Sequence, residues 1–77
     1  MVLSSLNVLN HARVRGFTAD CPPQVHQRLS SLGFTPNTEV LKLRRAPLGD
    51  PCVYELMGYQ ICLRNREASF IECVPVK

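Results

Sequence analysis

Tryptophan is absent from this chain, and only two tyrosines and three phenylalanines supply aromatic surface. That scarcity argues against a single-stranded nucleic-acid platform, which stacks bases on aromatic side chains. Basic density is also low: nine Lys and Arg against six Asp and Glu leave a net charge of +3. Those basic residues spread from Arg13 to Lys77 instead of forming the stripe that phosphate binding favours, so a solvated, slightly basic surface is expected. No apolar run approaches the roughly 20 residues of a membrane span. The opening stretch, MVLSSLNVLNHARVRG, has neither the basic start nor the long apolar centre of a secretory signal.

Convergent chemistry is missing as well. His11 and His26 are the only histidines, one opening a strand pattern and the other lying beside an apolar helical stripe. Asp20, Glu39, Asp50, Glu55, Glu67 and Glu72 are scattered, with no adjacent carboxylates. Asp50, between Gly49 and Pro51, suits a turn in which it bonds nearby backbone. The four glycines are far apart in sequence and cannot form a loop that cradles a phosphate. Catalysis needs a nucleophile with a base, a carboxylate pair or a metal cage, so no enzyme and no catalytic residue is expected.

The four cysteines, Cys21, Cys52, Cys62 and Cys73, are widely spaced, without a C-x-x-C pair or zinc-type Cys-His spacing. Free thiols in a cytosolic protein are therefore expected. Cys52, Cys62 and Cys73 lie in apolar strand-like segments and read as small hydrophobes, whereas Cys21, beside two prolines, is expected to be the most exposed. No metal-ligand set or cofactor site is expected, and any binding of a first-row metal ion by the isolated chain is expected to be weak.

What is present is the pattern of a folded globule. An apolar fraction of 45% over 77 residues points to one domain, residues 1–77, with a small core. Leu3, Leu6 and Leu9 recur every three residues, as in a short helical turn on the core. His11 to Thr18 alternates, with Ala12, Val14 and Gly16 on one face and Arg13 and Arg15 on the other. A helix is predicted over Pro23 to Leu32, started by proline, striped by Val25, Leu29 and Leu32, and stopped by Gly33. Phe34 to Asn37 makes a turn with Asn37 in a left-handed conformation. Strands follow over Thr38 to Arg45, Cys52 to Met57, Gln60 to Arg64 and Phe70 to Val74. Gly58-Tyr59 is read as the hairpin reversal, and Asn65 to Ser69 as a short turn capped by Asn65 with Glu67 near its start. The order predicts a mainly β fold: a small SH3-like antiparallel barrel of about five strands, with the helix in the first connection.

Three stretches of this chain resemble the FeoA family, the small cytosolic component of bacterial ferrous iron uptake. Arg28 to Val40 (RLSSLGFTPNTEV) is similar to its R-L-x-x-L-G-[FL]-x-P-G-x-x-V. Arg44 to Pro51 (RRAPLGDP) is similar to R-R-A-P-x-G-D-P, and Leu63 to Ile71 (LRNREASFI) to L-R-x-x-E-A-x-x-I. The family places glycine where Asn37 and Leu9 stand. Asparagine suits a positive φ, and at Leu9 a different turn into the first strand is expected.

The resemblance implies an SH3-like barrel, a cytoplasmic role in Fe(II) transport, and a partner: FeoB, the membrane permease with a cytosolic G domain. That partner would recruit the chain to the inner face of the cell membrane. The alternative is a regulatory, metal-responsive domain like the C-terminal domain of iron-dependent repressors. Such a domain follows others, whereas here Met1 opens the barrel, which favours the free-standing family.

Strand alternation places Cys52, Tyr54 and Leu56 on one face and Val53, Glu55 and Met57 on the other. With the first set in the core, Val53 and Met57 point outward beside Tyr59. Met57 and Tyr59, flanked by Arg44 and Arg45, are the expected contact with the partner or, in a weak homo-oligomer, with a second copy.

Overall fold

The computed structural model describes residues 1–76. Five strands make one antiparallel sheet: β1 (His11–Phe17), β2 (Glu39–Arg45), β3 (Cys52–Leu56), β4 (Tyr59–Leu63) and β5 (Ile71–Val76). Their order is β4-β3-β2-β1-β5, so β4 and β5 are the edges and the sheet does not close. Helix α1 (Pro23–Ser31) fills the first connection, as expected, and a four-residue helix α2 (Asn65–Ala68) joins β4 to β5.

Alternation builds the core. Ala12 and Val14, Val40, Cys52, Tyr54 and Leu56, Leu63, and Ile71 and Cys73 turn one side chain after another beneath the sheet. Leu29 and Phe34 close that core from the α1 side. The end of α1 shows how. The Phe34 N–H reaches the Leu29 carbonyl at 3.1 Å and the Gly33 N–H reaches Ser30 at 3.1 Å, a Schellman motif with Gly33 at φ +111°. Val25 and Leu32 are only partly buried, so Leu29 alone anchors the predicted stripe. Asn37 takes φ +75°, the left-handed conformation predicted for it.

Several expectations are corrected. Leu3 and Leu6 are buried around a 3₁₀ turn (Leu3–Ser5), but Leu9 is 69% exposed. It holds φ +70°, a conformation that glycine adopts more readily, and its side chain lies in solvent. Strand β3 ends at Leu56, and the hairpin turn is Met57-Gly58, both at positive φ, one residue earlier than Gly58-Tyr59. A type I′ turn, whose twist matches that of the flanking strands, has positive φ at both central positions, and Met57 adopts it. Cys62 is exposed, because β4 pairs with β3 so that Cys62 lies opposite Val53 on the outer face. Cys21 is half-buried, against its expected exposure. Asn65 is not the cap of α2. That place belongs to Arg64, whose N–H donates to Glu67 Oε1 at 3.2 Å.

Candidate docking surface

Strand β3 separates the four residues predicted to share a contact. Arg45 pairs with Cys52 at one end of β3, while Leu56 pairs with Tyr59 at the other. Four residue steps put the two ends about 13 Å apart. Arg44 and Arg45 therefore do not flank Met57 and Tyr59; the two pairs form different surfaces.

Met57 and Tyr59 hold the hairpin tip onto the end of α1. The Tyr59 hydroxyl donates to the Leu32 carbonyl, one of the orphan acceptors of a helix C-terminus. Met57 is 73% exposed, yet a Cβ built on Gly33 would sit 2.8 Å from its Sδ. The positive φ of Gly33 is what favours glycine there, since the exposed, flexible Met57 thioether could move aside for a Cβ. The helix side is likewise engaged: Arg28 is paired with Glu67, and the His26 ring meets Phe17 edge-on with centroids 4.3 Å apart.

The other end of β3 is built as a presented surface. The loop from Ala46 to Pro51 is braced internally by Ala46 N–H to Pro51 (3.0 Å) and Gly49 N–H to Ala46 (2.7 Å). It is also tied across the molecule to α2. The Asn65 N–H donates to Asp50 Oδ1 at 2.9 Å, and Asn65 Nδ2 donates to the Gly49 carbonyl at 2.8 Å. Asp50 thus bonds backbone fifteen residues away rather than its own turn. Buried Cys52 donates its thiol to Gly49 and Asn65 at 3.6 and 3.5 Å.

This bracing holds Leu48 at the loop tip, 97% exposed. Beside it lies a cleft of about 280 Å³ lined by Arg44, Arg45, Ala46, Pro47, Pro51 and Val53. Of this lining Arg44 and Arg45 are exposed, as are Arg64 and Arg66 at the start of α2, to which the loop is tied, and none of the four has an ion-pair partner among the described residues. An apolar floor with a cationic rim on a stiff loop is the make-up of a protein contact, apolar at the centre and polar at the border.

Lys42 was not foreseen. It is 5% exposed, donates to the Leu6 carbonyl at 2.8 Å and Ser4 at 3.3 Å, and lies 5.8 Å from the Tyr54 ring centroid. Strand alternation pointed it inward, and a lysine at an inward position was the available signal. Among the described residues, no three His, Cys, Asp or Glu side chains come together as a metal-binding group, and no helix is long and apolar enough to cross a membrane.

Comparison with known proteins gives this arrangement its context. The fold superposes on the FeoA protein of Chlorobium tepidum with a TM-score of 0.89, at 32% identity over 100% of this chain and 71% of that one. It also matches the Stenotrophomonas maltophilia FeoA complexed with zinc, described as an SH3 domain protein possibly acting as a ferrous iron transport activating factor. There the TM-score is 0.83 and the identity 27%, over 95% of this chain and 88% of that one. A manganese-dependent transcriptional repressor shares the fold alone: TM-score 0.85 and 17% identity, with this chain covering 41% of its length and 99% of its own. The segments pinned together by Asp50, Gly49 and Asn65 lie within one match, to the FeoA domain model over residues 1–75, and the chain belongs to the FeoA family.

Proposed function

We propose that this chain is a cytoplasmic accessory protein of ferrous iron uptake that docks on the FeoB permease at the inner face of the cell membrane and supports or regulates Fe(II) transport. Its contact is the arginine-rimmed cleft and the Leu48 tip, and the facing surface of FeoB is acidic with an apolar centre. One observation carries this assignment: a loop clamped to α2 by Asp50 and Asn65 holds an almost fully exposed leucine in place. A lone exposed leucine is ordinary, but one on a braced loop above an apolar cleft has a preorganised place to bind.

Fe(II) is the permease's cargo in this scheme and not a resident ion of the accessory chain. Anaerobic calorimetry should find no stoichiometric submicromolar site. A tight site abolished by changing His11, His26 or Cys21 would contradict that division of labour.

Leu48→Asp tests the contact without touching the core. The variant should melt like the parent while losing co-purification with FeoB membranes and lowering iron uptake. Normal binding and uptake by folded Leu48→Asp would rule the loop out as the contact.

A further inference from the structure

The two edges of the sheet are unequally protected. On β5, Pro75 has no N–H to offer, the Cys73 N–H donates to the Met1 carbonyl at 2.8 Å, and Val2 bridges Glu72. Strand β4, Tyr-Gln-Ile-Cys-Leu, has no proline, no charged residue and no bulge in its pairing with β3. Proline, charge, bulges and covering segments are the devices that blunt an edge, and β4 carries none of them.

The hairpin turn fixes which backbone groups are open. Across the two-residue Met57-Gly58 turn, Leu56 and Tyr59 form a hydrogen-bonded pair, and bonded pairs then alternate. Tyr59, Ile61 and Leu63 spend their backbone groups on β3, while Gln60 and Cys62 turn theirs outward. Neither has a backbone partner among the described residues. The open edge runs into Arg64 and Arg66, and Arg45 stands two strands away in the same row, opposite Cys52 and Leu63. Of the carboxylates nearby, Glu67 is already paired with Arg28, Asp50 accepts from the Asn65 N–H, and Glu55 lies opposite Gln60, away from the Arg64 end of the strand.

We infer that the β4 edge takes up an extended acidic segment of a partner protein as a sixth strand, bonded to the Gln60 and Cys62 backbone with its carboxylates toward Arg64. Charge decides the occupant. A second copy would set one +3 chain against another, whereas an acidic segment neutralises the unpaired arginines. Strand addition is an established mode of peptide recognition in which main-chain bonds supply affinity. The inference rests on the docking proposal and specifies how the partner is held.

Amide exchange measured by NMR on the full chain tests it, with two synthetic heptapeptides as probes, one alternating Glu and Val and the other Lys and Val. In the free chain, the Gln60 and Cys62 amides should exchange quickly and those of Tyr59, Ile61 and Leu63 slowly. At nine-tenths saturation, the Glu/Val peptide should slow Gln60 and Cys62 about tenfold, since free sites set the residual rate. The Lys/Val peptide should not. Cys62→Val should keep the effect and Cys62→Pro, which deletes one outward N–H, should abolish it. Three results would overturn the inference: Gln60 and Cys62 unprotected by saturating Glu/Val peptide, equal protection by both peptides, or protection in the peptide-free chain together with dimer sedimentation. FeoB takes no part, so failure here leaves the cleft contact standing, and failure of the cleft contact leaves this result interpretable.

Discussion

Tyr54 fills the centre of the core with its ring against the Lys42 ammonium, yet its hydroxyl is buried without a hydrogen-bond partner. An unsatisfied buried hydroxyl costs about 1–3 kcal/mol in lost hydration. Tyr54→Phe keeps the ring and removes that cost, so thermal melting should rise or hold. The same residue controls alkaline stability. Burial first, then the neighbouring Cys52, Cys73 and Asp50 charges, push the Tyr54 phenol up, and burial pushes the Cys73 thiol up. Both groups ionise more easily unfolded than folded, so their contribution is full at neutral pH. It is lost as pH rises past the ordinary values of 9.0 for Cys73 and 10.0 for Tyr54. Melting temperature should fall across that range and fall less in Tyr54→Phe. An equal alkaline decline in both proteins would show that the phenol does not govern it. Thiol accessibility is a second check at this scale. Native alkylation should label Cys62 first and leave Cys52 and Cys73 unmodified until unfolding, while early labelling of Cys52 would contradict the β3 register.

Between elements, the decisive contact is the clamp joining the Ala46 to Pro51 loop to the start of α2. Asn65→Ala removes the amide bond to Gly49 and one acceptor of the Cys52 thiol, and leaves the backbone bond to Asp50. The expected cost is about 1 kcal/mol. Loop amides from Ala46 to Gly49 should then exchange faster, and unchanged exchange would show that the loop is held by other means. These contacts explain what could be read beforehand. Helix α1 was legible because proline start, Leu29 stripe and Gly33 stop agree, and β1 because its alternation holds from His11 to Arg15, up to the bulge between Val14 and Gly16. The hairpin turn was displaced by one residue because nothing in methionine's chemistry announces a positive φ at Met57. Cys62 was misplaced because its apolar neighbours suggested burial, whereas either turn, Met57-Gly58 or Gly58-Tyr59, sets it opposite an outward residue of β3, Val53 or Glu55. Lys42 broke the alternation rule in kind but not in position: its stem lies inward and its ammonium finds carbonyls of the preceding turn.

At the scale of the whole molecule, Arg44, Arg45, Met57 and Tyr59 are all exposed, but the register divides them between two surfaces. Arg44 and Arg45 neighbour Tyr59 in a list of suggestive residues, and only the register of β2, β3 and β4 shows them at opposite ends of the sheet. One end, with Met57 and Tyr59, fastens the hairpin to α1. The other, with Leu48 and four unpaired arginines among the described residues, is free to meet a partner. The most direct measurement is the affinity of the purified chain for detergent-solubilised FeoB at low and high salt, comparing the parent with Arg44→Glu/Arg45→Glu and with Met57→Asp. The cleft contact predicts salt-sensitive binding by the parent, with the arginine reversal weakening it at least about tenfold, or roughly 1.4 kcal/mol. Met57→Asp should bind as the parent does. Unchanged binding by the arginine reversal, with loss in Met57→Asp, would place the contact at the hairpin tip and contradict the assignment.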